Sequence, residues 1–209
     1  MLSSPESEPK AAMLRLLAVL FLALIALDAA HAGALFDAAR EGDRAAVERL
    51  LAEGADVDER GRNAETPLIA AALAGEVAMA ELLIARGADV MARNAGGFTP
   101  LHAAAYSGSQ EVVRLLLDRG AVLDDAANSA GVTPLLVAAE ENHLAIVELL
   151  IAEGADLSVR ERHGYTSLSR ATFKGHTGVM ALLKRHGATC QGPEIMGEHN
   201  YRTCEASGS

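Results

Sequence analysis

The sequence predicts an all-α solenoid of five helix-turn-helix units joined by hairpin-like finger loops, and three observations predict it. Thr-Pro-Leu recurs at Thr66, Thr99 and Thr133, with a worn copy at Thr166-Ser167-Leu168. Gly-Ala pairs keep the same beat, starting at Gly54, Gly87, Gly120, Gly154 and Gly187. Both series advance by 33 residues except for one step of 34, and the two long steps overlap between Gly120 and Thr133, so one residue is inserted there. The composition fits: the 209 residues are 50% hydrophobic but only 3% aromatic and hold no Trp, leaving Leu, Ala, Val and Ile to make the core. A fixed period with such a core means identical units that bury their faces against one another.

The chain opens on a different kind of segment. Leu16 to Leu27 is an unbroken apolar run of twelve, preceded by Arg15 and followed by Ala30-His31-Ala32. As a helix it is too short for a bilayer core of about 30 Å, whereas the small-x-small end suits signal peptidase. Residues 1–32 therefore read as a signal peptide cleaved after Ala32; an uncleaved anchor or a buried helix is the alternative. Met1 to Ala12 carries Glu6 and Glu8 against only Lys10, while Met13-Leu14-Arg15 is a conventional beginning, so Met13 is an alternative start.

Five repeats are expected over 33–189, at about 33–60, 61–93, 94–127, 128–160 and 161–189. In the unit from Asn94 to Ala126, Thr99 supplies a hydroxyl for an orphan amide and Pro100 fits the first helical turn. A short helix follows from Leu101 to about Ser107, kept slim by Ala103, Ala104 and Ala105, and Gly108 stops it in a left-handed conformation. The fourth unit uses Asn142 in that role. A second helix starts near Ser109 and places Val113, Leu116 and Leu117 on one face before Gly120 ends it. The polar, turn-rich stretch from Gly120 to Thr133 suits a finger.

These features resemble the ankyrin-repeat family, in its exported bacterial form. The phrase Thr-Pro-Leu-His is complete at Thr99 to His102, the paired Ala residues follow it, and Leu-Leu-x-x-Gly-Ala closes the units. Departures cluster at the ends. Repeat one lacks Thr-Pro and has Arg49 where the others have Leu82, Leu115, Leu149 and Leu182; repeat five has Ser167, Ser169 and Lys184 in place of Pro, His and an aliphatic residue. Polar intrusions in terminal units read as solvent-facing caps.

Residues 190–209 form a tail carrying both cysteines, Cys190 and Cys204. In an oxidising compartment they are expected to form a disulfide closing a 15-residue loop, worth about 3 kcal/mol in the chain-entropy model. The alternative is a metal site completed by His186 and His199, although the spacing matches no compact zinc pattern.

No Walker loop, dinucleotide fingerprint or His-Glu-x-x-His occurs, and no Cys precedes Cys190, so neither catalysis nor a cofactor is expected. The resemblance implies that His102 ties the Thr-Pro turns together and that His143 and His176 start second helices. Glu140 and Glu141 are adjacent on a helix and diverge by about 100°, as on a solvated face. The formal charge is −10, of which residues 1–32 contribute −1 (Lys10 and Arg15 against Glu6, Glu8 and Asp28), leaving −9. Nucleic acid and anionic membrane are poor partners for such a chain, and a soluble monomer without stable membrane insertion is expected.

The resemblance also implies a protein partner, of unknown identity, on a concave face built from finger tips and first helices. Its partner-facing positions fall at Glu65, Phe98, Val132 and Tyr165 before the Thr-Pro phrase and at Leu73, Tyr106, Glu140 and Phe173 on the first helices. Arg62, Arg93, Arg160 and Arg162 lie at the fingers. Four of the six aromatics after residue 32 are in this set, and aromatics and Arg dominate interface hot spots. The alternative is that the rings pack on adjacent fingers. The expected function is a periplasmic or secreted interaction module, with oxidative-stress defence implied by the exported relatives. A regulator or inhibitor of another protein, or an effector secreted to a host, is the alternative.

Overall fold

The computed structural model describes residues 33–207; the signal-peptide reading of 1–32 lies outside them. Among the described residues there are twelve α-helices and no strand. Ten helices form five antiparallel pairs: α1 (Ala34–Glu41) with α2 (Arg44–Ala52), α3 (Pro67–Ala74) with α4 (Val77–Ala85), α5 (Pro100–Ser107) with α6 (Gln110–Asp118), α7 (Pro134–Glu140) with α8 (Leu144–Ala152), and α9 (Ser167–Lys174) with α10 (Thr177–Arg185). The tail adds α11 (Pro193–Met196) and α12 (Glu198–Ala206).

Three of the first helices begin with the hydroxyl cap that the sequence predicts, whereas the Thr99 hydroxyl lies against the His102 ring and α1 starts at Gly33 without a side-chain cap. The hydroxyls of Thr66, Thr133 and Thr166 accept the amides of Ile69, Leu136 and Ser169 at 3.3, 3.3 and 3.4 Å, and Pro67, Pro100 and Pro134 sit in the first turn, where a missing N–H leaves nothing unpaired. The next residue of the phrase is core: Leu68, Leu101, Leu135 and Leu168 are at most 1% exposed, each contributing roughly 1.5–3 kcal/mol. Small Ala faces then let α1, α3, α5, α7 and α9 pack consecutively as an inner row, with α4, α6, α8 and α10 as the outer row. Gly108 closes α5 at φ +80°, and a Cβ there would lie 2.7 Å from the His143 ring of the next repeat. It is glycine both for the turn and for the approach.

Four fingers precede the four capped helices, at 55–65, 88–98, 121–132 and 155–165. Side chains at one register position hold three of them. The side-chain Oδ1 of Asn94 accepts the amides of Gly96 and Phe98, that of Asn128 those of Ala130 and Val132, and the Glu161 carboxylate those of His163 and Tyr165. The first finger has Gly61 there, where a Cβ would strike the Phe36 ring at 2.2 Å. Without that side chain it forms a 3-10 turn, Arg62–Ala64, with Asn63 and Ala64 at positive φ. Neighbouring fingers are joined by backbone bonds, from Ala95 to Asn63, Ser129 to Gly96 and Arg162 to Ala130.

The two end substitutions differ. Arg49 is an exposed residue on α2, the second helix of repeat one, 4.0 Å from Glu53. Lys184 does not face bare solvent: its Nζ donates to the carbonyls of Cys204 and Glu205 at 2.8 and 3.2 Å, at the end of α12. The tail is thus packed on the last repeat, with Met196 and Cys204 buried in the common core.

Candidate protein-docking face

The tie between the Thr-Pro turns is built on one buried imidazole. His102 Nδ1 accepts from the Thr99 amide at 3.2 Å and lies 2.9 Å from Thr99 Oγ1, so Nε2 carries the hydrogen and donates to the Val132 carbonyl at 2.9 Å. Burial holds its pKa below the usual imidazole value, which keeps the ring neutral and its acceptor free. Repeat five has Ser169 instead, and the tail supplies the missing group. Gln191 Oε1 accepts from the Thr166 amide at 3.2 Å and from Ser169 Oγ, while Nε2 donates to the Gly164 carbonyl at 2.8 Å. His143 and His176 start α8 and α10, and their Nε2 atoms lie 2.8 and 2.9 Å from the carbonyls of Tyr106 and Glu140 in the preceding repeats.

Held in this way, the inner row and fingers enclose a groove of about 400 Å³ across repeats two to four. Its lining includes Glu65, Leu73, Phe98, Tyr106, Val132 and Glu140, six of the residues that the sequence places toward a partner, together with Ile69, Ala103, Val137 and Glu141. Glu140 and Glu141 both line this groove, Glu141 exposed as on the solvated face expected of the pair. Tyr106 is 56% exposed and Leu73 38%; Phe98 is half-buried, its ring edge-on to His102 with centroids 5.5 Å apart. Tyr165 and Phe173 form a second aromatic pair in repeat five, perpendicular at 4.8 Å, with the Arg170 guanidinium 5.6 Å from the Tyr165 centroid. The rings therefore pack within their own repeats while Tyr106 and Phe173 keep a face open.

The arginines divide. Arg93 is spent within the fold, donating to the carbonyls of Gly97 and Ala127 at 2.9 and 3.3 Å and pairing with Asp125. Arg60 does the same for the preceding fingers, reaching the carbonyls of Ala64 and Arg93 at 3.0 and 2.6 Å. Arg62 and Arg162 are exposed and do not line the groove. Arg160 borders a separate cavity of about 480 Å³ between the fourth finger and the tail, beside Gln191 and Glu194. Glu161 is buried: burial alone would raise its pKa, but bonds from His163 and Tyr165 and the charge of Arg170 outweigh that and hold it below the usual range.

Cys190 and Cys204 are bonded, with Cα atoms 6.0 Å apart. That bond consumes both thiolates that a zinc site with His186 and His199 would need. No group of three potential metal ligands occurs among the described residues, and none of the described helices is long and apolar enough to cross a membrane.

Stacked helix pairs with a concave groove define a helical-repeat solenoid. The family model for ankyrin repeats, three copies, matches residues 35–127 and 122–192, and the chain belongs to the ankyrin-repeat family. Its repeats mark it as a protein–protein interaction module. No curated protein matches the chain significantly.

Proposed function

We propose that the chain is an exported, periplasmic module that holds a partner protein against its concave face. One observation carries the binding reading. Five large hydrophobic residues are exposed among the described ones, and three of them, Leu73, Tyr106 and Phe173, occupy one register position on α3, α5 and α9, with Glu140 at that position on α7. A solenoid core has no use for apolar groups pointing out of the inner row, whereas a docked partner does. Export is supported by the apolar run Leu16 to Leu27 with its small-residue end and by the tail disulfide, which persists in oxidising compartments. Resemblance to exported bacterial ankyrin-repeat proteins supports a place in oxidative-stress defence.

The test is to express the chain with its own N-terminus, sequence the start of the protein recovered from the periplasm, and capture bound proteins. The capture is repeated with Phe98, Tyr106, Tyr165 and Phe173 all changed to Ala. Loss of partner with an unchanged helical spectrum is the expected result. A folded quadruple variant that keeps every partner rules out the concave face, and recovery only from the cytoplasm rules out export.

A further inference from the structure

We propose that the groove takes a cationic, apolar segment of a protein partner, a Lys or Arg flanked by large aliphatic or aromatic side chains. This names the partner chemistry of the concave face and rests on that reading. The floor is apolar, from Ile69, Leu73, Ala103 and Val137, and the Tyr106 ring stands open beside it. Every charged residue in the lining is a carboxylate: Glu65, Glu140 and Glu141, with no Lys or Arg among them.

The other polar groups are already engaged. Thr99 and His102 bond each other and the Val132 carbonyl, and Asn94 Oδ1 serves its own finger. Glu140 has cations of its own, Lys174 at 3.4 Å and Arg170 at 3.7 Å. Glu65 and Glu141 have no such ion pair among the described residues. An acidic segment would meet two uncompensated carboxylates. A neutral apolar one would fill the floor but strip water from those carboxylates with nothing to replace it. A cation between apolar neighbours satisfies both surfaces, and an exposed Tyr face adds cation–π attraction. At about 400 Å³ the groove lies near the lower end of ligand-pocket volumes, room for a few side chains of one segment. The net charge of −9 carried by residues 33–209 steers the same kind of partner from a distance.

The probe is a display library of short random peptides selected on the purified protein, followed by binding of individual synthetic peptides to wild type, Tyr106→Ala and the double variant Glu65→Gln/Glu141→Gln. The expected peptides pair Lys or Arg with Leu, Phe or Trp. They weaken about tenfold on the double variant, and the difference disappears at about 1 M salt, where charges are screened beyond roughly 3 Å. Peptides that lose binding with Tyr106→Ala but ignore the Glu changes and salt overturn the cationic assignment and leave the concave face standing. If no selected peptide responds to Tyr106→Ala, the groove itself is not the docking surface and both readings fall.

Discussion

Arg93 and Asp125 meet side by side across the second and third fingers, Nη1 lying 3.0 Å from Oδ1 while Nη2 bonds Oδ2. The same guanidinium reaches the carbonyls of Gly97 and Ala127, so one side chain fastens three points of two fingers. Its hydrogen bonds hold the Asp125 carboxyl below the usual range despite burial. Asp125→Ala should cost about 2 kcal/mol, the scale of a charge-assisted bond lost in a buried setting, read from urea melts. Arg93→Ala in the Asp125→Ala background should cost less than in wild type, because the shared bonds are already gone. Equal costs would mean that the pair is not coupled.

A second consequence lies at the first finger. Ala64 sits at φ +54°, where the same register position in the later fingers is Gly97, Gly131 and Gly164 at φ +84°, +70° and +86°. A side chain in the left-handed region costs about 1 kcal/mol or more. Ala64→Gly should therefore raise stability by up to about 1 kcal/mol and leave the helical content unchanged. A lowered denaturation midpoint would mean that the methyl group packs usefully there.

The neutrality of His102 predicts a pH dependence. Its pKa is depressed in the folded chain by burial, so its contribution is fully present above the unfolded value of about 6.5. Below that pH the unfolded chain takes up a proton that the folded chain refuses. Stability falls toward the folded pKa with a slope of at most about 1.4 kcal/mol per pH unit for this one group. His102→Gln should fold, since the amide oxygen of Gln191 accepts from the Thr166 N–H in repeat five as His102 Nδ1 does from that of Thr99. It should remove that part of the slope below about pH 6.5. Identical slopes in the two proteins would show that His102 accepts its proton without cost.

Thr-Pro-Leu and Gly-Ala announced the helix starts and stops because capping and left-handed turns are written within three or four residues of chain. The groove was legible only through counting from each Thr, which placed Leu73, Tyr106 and Glu140 together. The finger ties were not read. Arg60 and Arg93 stand one period apart, as do the backbone atoms they bind, but nothing local distinguishes a guanidinium bonded to the next finger from one held out to a partner. Gln191 was invisible for a related reason. Its partners Thr166 and Ser169 lie 25 and 22 residues away, and the cue was the absence of His at Ser169, read as a cap facing water.

The tail therefore acts as a missing sixth contact for repeat five, and two substitutions separate its parts. Gln191→Ala leaves the Thr166 amide and the Gly164 carbonyl without their partner, while Ser169 Oγ retains a neighbour in Thr166 Oγ1 at 3.2 Å. Gln191 is only 6% exposed, so water replaces it poorly and the cost should be about 2 kcal/mol. Breaking the Cys190–Cys204 bond, by reductant or by Cys190→Ser/Cys204→Ser, should cost about 3 kcal/mol through the unfolded chain's restored freedom. Because Gln191 follows Cys190 directly, the disulfide also limits how far that amide can wander. Gln191→Ala should then cost less in the reduced protein than in the oxidised one, measured as paired urea melts with and without reductant. Strictly additive costs would show that Gln191 finds its place without the disulfide. No cost in either state would mean that the tail rests on repeat five without stabilising it.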